Sequence, residues 1–147
     1  MGATILRPHK DLSDILARTH RFRAVDRVGL FALAKDVTRL TADSIDASEL
    51  QKHFALAKNE KLGSLKSLER LLATKIQPDL ARKMLAPLAG IYDLRLADAH
   101  LPKETVNESL ALVGIDENAP FIHQGYQLLY ACVGSFCGIA QVIEKEW

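Results

Sequence analysis

The stretch Pro78-Asp-Leu-Ala-Arg-Lys-Met-Leu-Ala-Pro-Leu-Ala-Gly-Ile-Tyr-Asp-Leu-Arg-Leu-Ala-Asp-Ala-His100 decides how this chain folds. Its apolar residues Leu80, Met84, Leu85, Leu88, Ile91 and Tyr92 recur at three- and four-residue intervals, as they do on one face of an α-helix. Pro78 suits the first helical position, because the N–H it lacks would find no partner there. Pro87 removes one backbone hydrogen bond inside the pattern, which predicts a bend. Pro102 disfavours helical geometry at Leu101, so the helix is expected to end near His100.

The same periodicity continues on both sides, and strict alternation over five or more residues is missing. Leu12, Ile15 and Leu16, then Val25, Val28, Phe31, Ala32 and Leu40, give one or two amphipathic helices. Asp46-Ala-Ser-Glu49 has the form of a capping box, with Asp46 accepting from first-turn amides. Gly63-Ser64 opens a helix carrying Leu65, Leu68, Leu71, Leu72 and Ile76. A shorter helix around Thr105 to Val113 stops at Gly114, a residue suited to a left-handed cap. The last helix runs from about Asn118 to Lys145. It is apolar almost all round, so it is expected to be the most enclosed element or to lie in an oligomer interface. The fold class is therefore all-α, a helical bundle of about five to seven helices. Residues 1–147 are read as a single domain, with residues 1–8 a loose N-terminal segment.

Composition agrees with a folded domain: 48% hydrophobic and 25% charged residues exclude a disordered tail. The net charge of +1 carries no strong overall polyanion signal, but its distribution is uneven. Residues 1–83 hold 16 Lys and Arg against 10 Asp and Glu, and residues 84–147 hold 3 against 8, so the two parts stand near +6 and −5. Between Ala119 and Ile143 there is no charged residue, yet His123, Gln124, Gln127, Ser135 and Gln141 interrupt the run. That favours a buried helix over a membrane span, and no membrane is expected. Cys132 and Cys137 are five positions apart on that helix, diverge, and are read as reduced core residues of a cytoplasmic protein. His9, His20, His53, His100 and His123 show no ligand spacing, so neither a metal nor another cofactor is expected.

Chemistry concentrates at Arg95 and His100. Arginine offers a permanently charged fork matched to phosphate oxygens, and histidine exchanges protons near neutral pH. A helix C-terminus favours the imidazolium, which suits a general acid. On an ideal helix the two side chains stand about 140° apart, so they converge only if the terminus unwinds or a second copy supplies one of them. The plainer reading pairs Arg95 with Asp98 or Asp93 on its own helix. The basic cluster Arg18, Arg21, Arg23 and Arg27, with His20 and Phe22, either holds an RNA backbone or forms a solvated helix face. Tyr92, Tyr126 and Tyr130 are expected in the core, and His123 and Gln124 at the surface or in a cap. No Gly-rich phosphate loop, carboxylate pair or nucleophile elbow is present.

The string Ile91-Tyr-Asp-Leu-Arg95-Leu-Ala-Asp-Ala-His100, following Pro87-Leu88, resembles the helix end of the HEPN family (higher eukaryotes and prokaryotes nucleotide-binding domains). The resemblance spans about a quarter of the chain. The position after the arginine is commonly polar in the family and is Leu96 here. The resemblance implies a homodimer in which arginine and histidine of two protomers meet across a cleft. It also implies RNA cleavage without metal, with His100 moving the proton and Arg95 stabilising the charged transition state. Asp98 and Asp93 would support them, and Arg18, Arg21, Arg23 and Arg27 would contact the RNA backbone. The family setting is stress response, phage defence or a toxin–antitoxin pair. The alternative expectation is a non-catalytic RNA- or protein-binding module, or the C-terminal part of a larger protein.

Overall fold

A computed structural model describes residues 4–97 and 101–147, and among them it is all-helical with no strand. Seven α-helices follow one another: α1 Leu12–Arg18, α2 Arg27–Leu40, α3 Ala47–Leu50, α4 Ser64–Leu72, α5 Pro78–Leu94, α6 Lys103–Val113 and α7 Phe121–Glu146. Short 3-10 turns at Arg21–Arg23, Ala42–Ser44 and Gln51–His53 join the first four.

Local signals set most boundaries. The Asp46 carboxylate accepts from the Glu49 N–H at 3.2 Å and caps α3, but the reciprocal half of the expected capping box is not made, because Asp46 N–H donates to Ile5 and Glu49 pairs with Lys52. Pro78 is the first residue of α5, and α6 ends on Gly114 at φ 81°. α6 starts two residues before the expected Thr105, on Pro102, and α7 starts at Phe121 because Pro120 takes the cap position. α5 stops as an α-helix at Leu94, short of His100. Its last turn tightens instead: Leu96 N–H donates to Asp93 at 3.0 Å and Ala97 N–H to Leu94 at 3.1 Å. Such i→i+3 bonds satisfy carbonyls that an α-helix leaves unpaired at its end.

α5 lies at the centre, packed against α2, α4, α6 and α7. Leu85, Leu88, Ile91 and Leu94 are buried along it, facing Leu30, Leu33 and Val37 of α2 and Leu68, Leu71 and Leu72 of α4. α6 comes close at Gly90, where an added Cβ would stand 2.6 Å from the Ser109 carbonyl oxygen.

Three expectations need correction. The N-terminal segment is not loose from Ile5 onward. Arg7 N–H donates to Ser44 at 2.7 Å, Asp46 N–H donates to Ile5 at 2.8 Å, and Leu6 bridges Ile45. These bonds satisfy backbone groups of the Ala42–Ser44 turn that no helix uses. α7 is not enclosed, because only one side of it is buried, at Gln124, Gly125, Leu128, Cys132, Ser135 and Ile139. By length and composition α7 is apolar enough to cross a membrane, and most of it is uncovered by the rest of the chain. Finally, Tyr126, Tyr130 and Cys137 are exposed rather than in the core.

Both cysteines are free; Cys132 is buried and Cys137 is exposed. Burial pushes the Cys132 thiol up to about 11. A raised acid is favoured in its neutral form, so at pH 8 only about one molecule in a thousand carries a thiolate there. One thiol is therefore expected to stay silent to an aromatic disulfide reagent until the domain is unfolded by urea. Rapid titration of both in the native protein would contradict this burial.

Candidate functional site

α1, α2 and the end of α5 enclose an open cleft of about 790 Å3, lined by Arg18, Arg23, Lys35, Arg39 and Arg95 with Asp36, Asp43 and Leu96. Five cations against two carboxylates leave the lining at a net charge near +3. The cations arrive from separate segments. Arg18 closes α1, Arg23 ends the 3-10 turn, Lys35 and Arg39 stand one helical turn apart on α2, and Arg95 follows α5.

Asp36 organises one wall. Its carboxylate is buried and receives the Arg18 Nε at 3.3 Å and a second Arg18 nitrogen at 3.4 Å, with Arg39 at 3.6 Å. The hydrogen bond to Asp36 raises the Arg18 pKa, so this guanidinium is a permanent cation. Arg95 forms the other wall. One of its terminal nitrogens donates to both Asp43 oxygens, at 2.9 and 3.1 Å, while the guanidinium carbon stands 3.7 Å from the centre of the Tyr92 ring. Stacking and ion pair together fix the fork over the cleft. Among the described residues the buried Nε atoms of Arg23 and Arg95 have no hydrogen-bond partner. Such donors are rarely left unpaired in folded proteins.

The 3-10 turn that carries Arg23 is gripped by two glycines. A Cβ on Gly29 of α2 would lie 2.3 Å from the Arg23 carbonyl oxygen, and one on Gly125 of α7 would lie 2.8 Å from the Ala24 Cβ. Sequence periodicity does not reveal this clamp.

The structure brings Arg18, Arg23 and Arg95 together and leaves two of the four clustered arginines elsewhere. The Arg21 guanidinium covers the Phe22 ring at 4.8 Å, and Arg27 covers Phe31 at 5.4 Å beside a different, smaller cavity. Asp93 is half-buried; burial raises its carboxyl pKa, against the pull of Arg95. Among the described residues Arg95 pairs with Asp43 and not with Asp93. Asp98 and His100 lie outside the described residues. His123 is exposed beside Tyr126, and Gln124 is buried, donating to the Ala119 carbonyl at 2.7 Å as a cap; neither lines the cleft. Lys35, Asp36, Arg39 and Asp43 were not singled out by sequence. The i, i+1, i+4 spacing of the first three on α2 is a signal that would have found them, but Asp43 has none.

No group of metal-ligating side chains occurs among the described residues. No family model, curated protein or solved structure matches the chain.

Proposed function

We propose that the chain is a HEPN-like RNA-binding domain that takes a phosphodiester backbone into the cleft, and that as a homodimer it cleaves RNA without metal through Arg95 and His100. One observation carries the binding: Arg95 is brought from the second half of the chain into one cleft with Arg18, Arg23, Lys35 and Arg39 from the first. A phosphodiester offers Arg95 the same paired oxygens and single negative charge that Asp43 now presents. Exchange of Asp43 for phosphate leaves Arg95 stacked on Tyr92 and able to stabilise charge developing at phosphorus. His100, five residues on, takes the proton-transfer role, from the same chain or from the second copy.

A second reading is favoured by the Asp43 pair itself: an arginine already neutralised serves a binding module that does not cut. One assay separates the two. Wild type is incubated with single-stranded RNA in EDTA beside Arg95→Ala and His100→Ala, each checked for unchanged circular dichroism and melting temperature. The ribonuclease reading expects cleavage by wild type and a loss of about 100-fold or more in each variant. RNA bound and left intact by wild type selects the binding module. No binding at all refutes both.

A further inference from the structure

The cations of the cleft are not equally occupied. Arg18 and Arg39 share the single carboxylate of Asp36, and Arg95 is balanced by Asp43. Among the described residues no carboxylate lies within ion-pair distance of Arg23 or Lys35. The positive excess of the lining therefore falls on the wall built by Arg18, Arg23, Lys35 and Arg39, and the corner at Arg95 is electrically balanced. On that wall Lys35 is exposed, whereas the Nε of Arg23 is buried with no hydrogen-bond partner, a state folded proteins rarely leave uncompensated. The turn that carries Arg23 is held from both sides. A Cβ on Gly29 or Gly125 would fall 2.3 or 3.0 Å from a backbone carbonyl oxygen of that turn. Glycine at these two places fixes the cation before any ligand arrives, which lowers the ordering cost of binding.

Charge and size then define the ligand. A phosphodiester brings a single negative charge, and along a strand such charges are spread out. A phosphate monoester carries nearly two at neutral pH, on three strong acceptor oxygens. Of the two, the monoester gathers charge at one point, as the Arg23 wall does. The cleft volume of about 790 Å3 is that of a small-molecule pocket, not of a track along a duplex or a long strand. Such a space takes the end of a chain, with Phe31 and Leu96 adding apolar surface for a sugar or base.

We infer that the wall around Arg23 and Lys35 is a site for a phosphate monoester. Resting on the reading of the cleft as an RNA site, the bearer of that group is the phosphorylated end of a strand, which runs on towards Arg95 and Asp43. The wall then sets where on a strand the protein sits, and Arg95 meets an internal phosphodiester at the balanced corner. A free nucleotide presents the same monoester, so the test includes both sources.

Fluorescence anisotropy at about 50 mM salt tests it, with short strands of 2′-O-methyl RNA that lack the hydroxyl needed for cleavage without metal. The strands share one sequence and differ at their ends: a 5′-phosphate, a 3′-phosphate, hydroxyls only, or a 5′-phosphate blocked as its methyl ester. Adenosine monophosphate is the free-nucleotide probe. One of the two phosphorylated strands should bind at least about 10-fold tighter than the hydroxyl-ended one. The methyl ester, a diester again, should lose most of that advantage. Arg23→Gln and Lys35→Gln, each checked for an unchanged melting temperature, should remove most of the preference. Arg95→Ala should weaken all strands and keep their ratio, and Arg21→Gln should change neither. Equal affinity for phosphorylated and hydroxyl ends, or a preference that survives Arg23→Gln, overturns the inference and leaves the cleft an RNA site. Adenosine monophosphate bound through Arg23 with no RNA bound upholds the monoester site and overturns the RNA reading. No binding of any probe overturns both.

Discussion

Gly29→Ala is expected to lower stability by about 3 kcal/mol or more, and to remove Arg23 from the cleft. The added methyl would sit 2.3 Å from the Arg23 carbonyl oxygen, a distance at which backbone must move. Overpacking against yielding side chains typically costs about 1–3 kcal/mol, and here the obstacle is main chain held from behind by α7 at Gly125. Gly29 also donates its N–H to the Asp26 cap at 2.7 Å, so a shift of the first turn of α2 disturbs the cap too. Urea unfolding measures the loss. A change below about 0.5 kcal/mol would show that the turn does not pack as described.

The second large effect concerns Asp36 and is asymmetric. Arg18→Ala should be clearly destabilising, because it leaves a buried carboxylate with only the longer contact to Arg39. Asp36→Ala should cost less, since Arg18 and Arg39 are each more than a third exposed and can turn to water. The double variant should be no worse than Arg18→Ala alone, giving a clear coupling energy in a double-mutant cycle. The two variants also part in function. Arg18→Ala removes a cation from the cleft, and Asp36→Ala raises its net charge and should tighten RNA binding. Additive stability losses would mean that the pair is not the tie between α1 and α2.

The helices were legible because burial on α5 and α4 imposes a three- and four-residue apolar rhythm, and because Pro78, Asp46 and Gly114 act through local backbone chemistry. The end of α5 was not, because the tightening at Arg95 depends on its stack over Tyr92 and its tertiary partner Asp43, 52 residues away. α7 misled for a related reason: an apolar composition says that a helix wants a partner, not that the partner lies in the same chain. Of the cleft, the arginines at 18, 23 and 95 could be named, while their convergence could not. Neighbouring Arg21 and Arg27 have the same residue type and lie elsewhere, on Phe22 and Phe31.

The central claim is that the cleft holds a phosphodiester backbone, and the affinity for single-stranded RNA measured against salt concentration addresses it most directly. Three phosphates held by the net positive lining predict a log–log slope of about −2, or roughly a 20-fold loss between 50 and 200 mM salt. Arg95→Ala and Arg23→Ala should each weaken binding and flatten that slope by about one contact, with Arg21→Ala as an unchanged control. A wild-type slope near zero, or variants of Arg23 and Arg95 that bind as wild type does, would contradict it.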